Sequence, residues 1–97
     1  MMIKHVTMFK LRTRSEELLE SAHASIASLG EGIDEVRSLE IGIDFAQTSL
    51  SYDIVATVYF DDRADLEAYS KHPRHRAVAA TMRELSEAVA IVDFEAH

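Results

Sequence analysis

The chain has no cysteine, and only one proline and three glycines among its 97 residues. Without cysteine the fold must hold without disulfides, and thiolate metal centres are excluded. That usage fits a reducing cytoplasm, the expected compartment. The glycines stand apart at positions 30, 32 and 42. No glycine-rich loop is therefore available to cradle a phosphate, and no serine sits in a nucleophile elbow. Positive charge is also scarce: 10 Lys and Arg face 17 Asp and Glu, for a net charge of −7. Such a surface repels a phosphate backbone, so nucleic acid is not an expected partner. The acids are dispersed and read as a solvated surface rather than an interaction tail. No apolar run reaches the length of a membrane span, and the opening MMIKHVTMFKLR lacks the apolar centre of a secretory signal. A membrane partner is not expected.

What is present is a hydrophobic share of 47% in a chain of one-domain length, spanning residues 1–97. Residues 3–12 alternate with period two, which predicts a strand. Ile3, His5, Thr7, Phe9 and Leu11 fall on one face, and Lys4, Val6, Met8 and Lys10 on the other. A helix follows over 13–29, with Thr13 and Glu16 as a capping box or Ser15 as a rival cap. Its apolar stripe is Leu18, Ala22, Ile26 and Leu29, and Gly30 suits its end. Residues 36–43 form a second strand with Leu39, Ile41 and Ile43 on one face, and 44–51 a polar loop. Residues 52–60, YDIVATVYF, form the strongest strand, apolar on both faces. Asp61 and Asp62 cap a helix over 63–71. Pro73 disfavours helical dihedrals at His72 and suits the first position of a new helix over 73–86. A fourth strand covers 88–95.

The order β-α-β-β-α-β, with the second helical region broken at His72, specifies an α+β, ferredoxin-like fold. It is a four-stranded antiparallel sheet with helices on one face. Right-handed crossovers place both helical regions on the same side. The other side is left uncovered, yet Val6, Met8, Val55, Tyr59, Val89 and Ile91 are expected there. Lys4, Lys10, Thr57 and Asp93 are the polar side chains expected among them. An exposed apolar sheet face predicts a homodimer built through it.

On the covered side, His5 faces helices that carry Tyr69 and His75. Ile54, Ala56, Phe60, Leu66, Val78 and Met82 are expected to line the same space. An apolar layer with three convergent polar groups is a candidate small-molecule site, with Tyr69, His75 and His5 as its acid–base groups. The competing reading makes them core residues, each satisfied by one hydrogen bond. His72 reads as a cap whose imidazole accepts from an early helical N–H. Because Pro73 separates His72 from His75, HPRH is a poor metal motif, and neither a metal nor another cofactor is expected. His23 reads as a surface residue, and the terminal His97 is set aside. Glu40 and Asp93 are acids within strands that no spacing pairs. Arg74, Arg76 and Arg83 fall off the apolar stripe and are expected in solvent.

Three stretches together, IKHVTMFKL, YDIVATVYFDDRADLEAYSKHPRHRAV and VDFE, carry a family resemblance. The chain resembles the stress-responsive dimeric α/β-barrel domain family, often called Dabb. The resemblance implies ferredoxin-like dimers whose sheets pack into a barrel, and for most members a stress-related or uncharacterised role. One plant member is a polyketide cyclase that closes an aromatic ring by aldol condensation. Tyr69 and His75 match its catalytic tyrosine and histidine, and His5 matches another pocket histidine. Ile54 stands where that cyclase has a further pocket histidine. The resemblance leaves three readings: a pocket-bearing binding or stress protein, a cofactor-free cyclase-like enzyme, and a ferredoxin-like monooxygenase or other degradative enzyme.

Overall fold

A computed structural model of the chain describes residues 2–96, so His97 lies outside the described residues. Strand β1 spans Met2–Leu11, helix α1 Glu16–Ala27 and strand β2 Ser38–Ile43. Strand β3 spans Ile54–Phe60, helix α2 Arg63–Lys71, helix α3 Pro73–Leu85 and strand β4 Ser86–Ala96. The four strands form one antiparallel sheet in the order β2-β3-β1-β4. This is the ferredoxin-like topology expected from the sequence.

Local chemistry sets the helix ends. Ser15, not Thr13, caps α1: its hydroxyl accepts from the Leu18 N–H. Asp62 caps α2 by accepting from the Asp65 N–H. At His72 the backbone is extended, Pro73 opens α3, and the His72 imidazole Nδ1 accepts from the Arg74 N–H at 3.1 Å. His72 therefore ends one helix and caps the next, as its position before proline implies. His23 is exposed.

The core lies between the helices and the inner sheet face. Ile3 and Leu11 from β1, and Ile54, Ala56, Val58 and Phe60 from β3, meet Ala22 and Ile26 of α1 and Val78 and Met82 of α3. Along β3, burial alternates residue by residue, the signature of a strand with one face in the core.

One end of the sheet is held by a polar latch. Asp53 accepts from the Leu11 N–H at 2.7 Å and from the Arg14 guanidinium at 2.8 Å. Arg14 also donates to the Asp44 carbonyl. Burial pushes the Asp53 carboxyl up, but Arg14, the Leu11 N–H and the charge of Lys10 outweigh it and hold the group below its ordinary value. The stability it contributes is thus present above the ordinary carboxylate range and is lost as pH falls through the lowered value. Asp53→Ala leaves a half-buried guanidinium and a backbone donor unpaired. It is expected to cost about 2–3 kcal/mol, read as a lower urea midpoint at neutral pH.

The face assignment of β4 differs from the sequence expectation. Val89, Ile91 and Asp93 pair with Phe9, Thr7 and His5 and so share the helix side of the sheet. Ala88, Ala90, Val92 and Phe94 pair with Lys10, Met8, Val6 and Lys4 on the open side. The cause is a bulge: Lys10 pairs with Ala88 but Leu11 pairs with Ser86, leaving Glu87 as the extra residue. A bulge shifts the alternation by one, so every side chain beyond it changes face. The open face therefore carries Met2, Val6, Met8, Val55, Tyr59, Val92 and Phe94. Lys4 is its main charge, with the ammonium 5.0 Å from the Tyr59 ring centre and 5.9 Å from that of Phe94.

Candidate functional site

The helices do not cover the β1–β4 half of the inner sheet face completely. A cavity of about 420 Å³ remains there, lined by His5, Thr7, Leu66, Tyr69, His75 and Ile91 among others. Tyr69 arrives from the last turns of α2 and His75 from the first turn of α3, so the break at His72–Pro73 aims both at one space. Their ring centres are 4.4 Å apart, and the His5 ring lies 5.8 Å from that of Tyr69. Phe60 supports the other side of the Tyr69 ring at 4.9 Å.

Burial sets the state of two of these groups, Tyr69 and His75. Burial pushes the Tyr69 phenol well up, with no charged or hydrogen-bonding neighbour contributing, so it is a neutral O–H donor. The His75 Nδ1–H donates to the Ser70 carbonyl at 3.2 Å. That bond selects the tautomer and leaves Nε2 as the lone-pair nitrogen. Burial lowers the His75 imidazole below its ordinary value; the Ser70 carbonyl opposes this, and His5 and His72 add to it. A neutral imidazole and a neutral phenol thus face one apolar space.

The lowered His75 value has a stability consequence of definite sign. Below about pH 6.5 the unfolded chain binds a proton at this histidine that the folded chain resists. The stability linked to neutral His75 is therefore full above that pH and falls as pH drops towards the lowered value. His75→Asn keeps an amide N–H for Ser70 and removes the titration. It is expected to flatten the dependence of the urea midpoint on pH through that window.

Of the expected lining, Ala56 and Leu66 reach the cavity. Ile54, Phe60, Val78 and Met82 instead lie in the packed core and do not line it. On α3 the division follows helix geometry. His75, Ala79 and Arg83 form an i, i+4, i+8 ridge along the cavity, while Val78 and Met82 lie on the adjacent ridge towards α1 and β3.

Three residues expected elsewhere line this space, and a fourth, Asp93, is bonded to His5 on its wall. Arg83, expected in solvent only, stands at the cavity rim while remaining exposed. Val89 and Ile91, expected on the open face, form the wall along β4. Asp93, also expected on the open face, is paired with His5: its carboxylate accepts from the His5 Nδ1–H. The His5 Nε2 in turn lies 3.1 Å from the Thr7 hydroxyl. The spacing of His5 and Thr7 on one strand face was readable in the sequence. Their link to Asp93, 88 positions away, needed the strand register.

Among the described residues no group of three or more His, Cys, Asp or Glu is placed to hold a metal ion. His72 and His75 spend their Nδ1 atoms on separate backbone partners, an N–H and a carbonyl. Among the described residues, no helix is long and apolar enough to cross a membrane.

Comparison with known proteins agrees with this architecture. An uncharacterised protein of Streptomyces coelicolor is 31% identical over 97 residues, covering 97% of this chain and 99% of that protein. A dimeric ferredoxin-like protein of unknown function from Thermobifida fusca superposes with a TM-score of 0.87 at 25% identity, covering 99% of this chain and 92% of the other. A hydroxynitrile lyase from Passiflora edulis also reaches a TM-score of 0.87, at 13% identity, over 99% of this chain and 94% of its own, a likeness of fold alone. The model of the stress responsive A/B barrel domain matches residues 3–96. The chain therefore belongs to the stress-responsive α/β-barrel, or Dabb, family.

Proposed function

We propose that the protein is a homodimer whose inner cavity binds an apolar carbonyl compound and moves a proton on it without a cofactor. The observation that carries the reading is the pairing of a tautomer-fixed His75 with the Tyr69 phenol on an apolar cavity. His75 Nε2 takes the proton from the carbon beside the carbonyl. The Tyr69 O–H donates to the carbonyl oxygen as negative charge develops there, where a water-poor site strengthens the bond. Aldol-type ring closure of a polyketide-like chain is the form suggested by the match of Tyr69 and His75 to the plant cyclase. The 25% identical dimer supports the assembly, as does the apolar open face.

The test uses phenylacetone in deuterated water, with binding followed by ligand NMR and exchange of the benzylic protons by loss of their signal. Binding with accelerated exchange is the expected result. Binding without acceleration makes this a binding protein, and no binding removes the cavity reading altogether.

A further inference from the structure

A second set of chemical groups shares this cavity and is not used by the His75 reaction. His5 and Thr7 are two apart on β1, so both face the helices. Asp93 stands directly across from His5 on β4. Asp93 accepts from His5 Nδ1–H, which leaves His5 Nε2 to accept the Thr7 O–H at 3.1 Å. Asp93 is partly exposed, His5 mostly buried, and Thr7 buried with its side chain on the cavity wall. The order is hydroxyl, imidazole, carboxylate, running from the cavity to solvent. It is recognised by geometry and roles rather than by position in the chain.

We propose that Thr7, His5 and Asp93 form a nucleophilic triad that transfers acyl groups from esters or thioesters with an apolar acyl chain. Thr7 Oγ1 attacks the carbonyl carbon as its proton passes to His5 Nε2. The carbonyl π pair moves onto oxygen, and the Tyr69 phenol of the same cavity is the O–H donor available to it. Collapse re-forms the carbonyl and breaks the bond to the leaving alcohol or thiol, which takes the proton from His5. Water then attacks the acyl-Thr7 ester by the same route, releasing the acid and restoring the Thr7 hydroxyl. Asp93 does not accept the proton. It holds the tautomer that presents Nε2 and offsets the positive charge on the imidazole between steps. The acyl chain lies along Val89 and Ile91. The proposal uses the cavity of the proposed function but not its His75 base, so the two stand or fall by separate assays.

The experiment is hydrolysis of p-nitrophenyl butyrate by the intact protein, with acid-quenched samples digested and mapped by mass spectrometry. The expected result is release of nitrophenol with a butyryl group on the Thr7 peptide. Thr7→Val, which keeps side-chain shape, and His5→Asn are each expected to lower turnover by roughly 100-fold. Thr7→Ser restores it. Turnover with no adduct on Thr7, an adduct on His75 instead, or unchanged turnover in Thr7→Val each overturns the proposal. So does absence of turnover in folded protein. The adduct on the unsubstituted chain decides the matter even where a variant fails to fold.

Discussion

His75→Asn is expected to lower exchange of the benzylic protons of phenylacetone by about 10²–10⁴-fold while leaving the protein folded. The asparagine amide keeps a donor towards the Ser70 carbonyl, which His75 Nδ1 holds at 3.2 Å. What is lost is the lone pair of Nε2. Tyr69→Phe is the companion variant. The Tyr69 side chain is buried, and among the described residues its hydroxyl makes no hydrogen bond. Phenylalanine is therefore expected to leave the urea midpoint unchanged or raise it slightly while slowing exchange, the pattern of a functional rather than a structural hydroxyl. If Tyr69→Phe instead costs about 1 kcal/mol of stability with no effect on exchange, the phenol is a structural donor. That result would favour the binding-protein reading.

The second large effect is expected at the open face. Val92→Asp is expected to convert the proposed homodimer into a species of monomer mass in light scattering at micromolar concentration. Val92 stands opposite Val6, with Met8 and Phe94 on the neighbouring positions of the same face. It is 58% exposed in the single chain, and Met2, Met8 and Phe94 are also exposed. A stable interface of ordinary size covers about 800 Å² on each partner and excludes unpaired charge from its centre. A carboxylate placed on each copy meets its own symmetry mate across a two-fold axis. The melting temperature should also lose its dependence on protein concentration, because that dependence arises only through association. Ile91→Asp is the control. Ile91 is as exposed as Val92, at 57%, but lies on the cavity side of β4. It should leave the mass of the dimer intact and impair ligand binding. The opposite pattern would place the interface on the inner face.

These controls rest on a one-residue difference in β4 that the sequence did not reveal. Val89 and Ile91 alternate with Ala90 and Val92, so both phases of the strand are apolar. Polarity therefore does not choose between the phases, and no glycine or proline marks the bulge at Glu87. The phase is decided by pairing with β1, where Leu11 meets Ser86 and Ser86 turns into the core. The same shift moved Asp93 from the open face to the side of His5. Thus the triad and the β4 wall of the cavity were hidden by a single unpaired residue.

The element order, the cap at His72, the break at Pro73 and the faces of their own elements on which His5, Tyr69 and His75 stand were legible in the sequence itself. Local rules set them: strand alternation, helical stripes, and the dihedral limits that proline imposes on its neighbour. Those rules act over a few residues and need no knowledge of the partner strand. The tertiary structure alone decided which β4 side chains line the cavity. It also placed Ala56 and Leu66 on the cavity wall and left Ile54, Phe60, Val78 and Met82 off it. Register and packing join residues far apart in the chain, and a pattern within one segment carries no information about either.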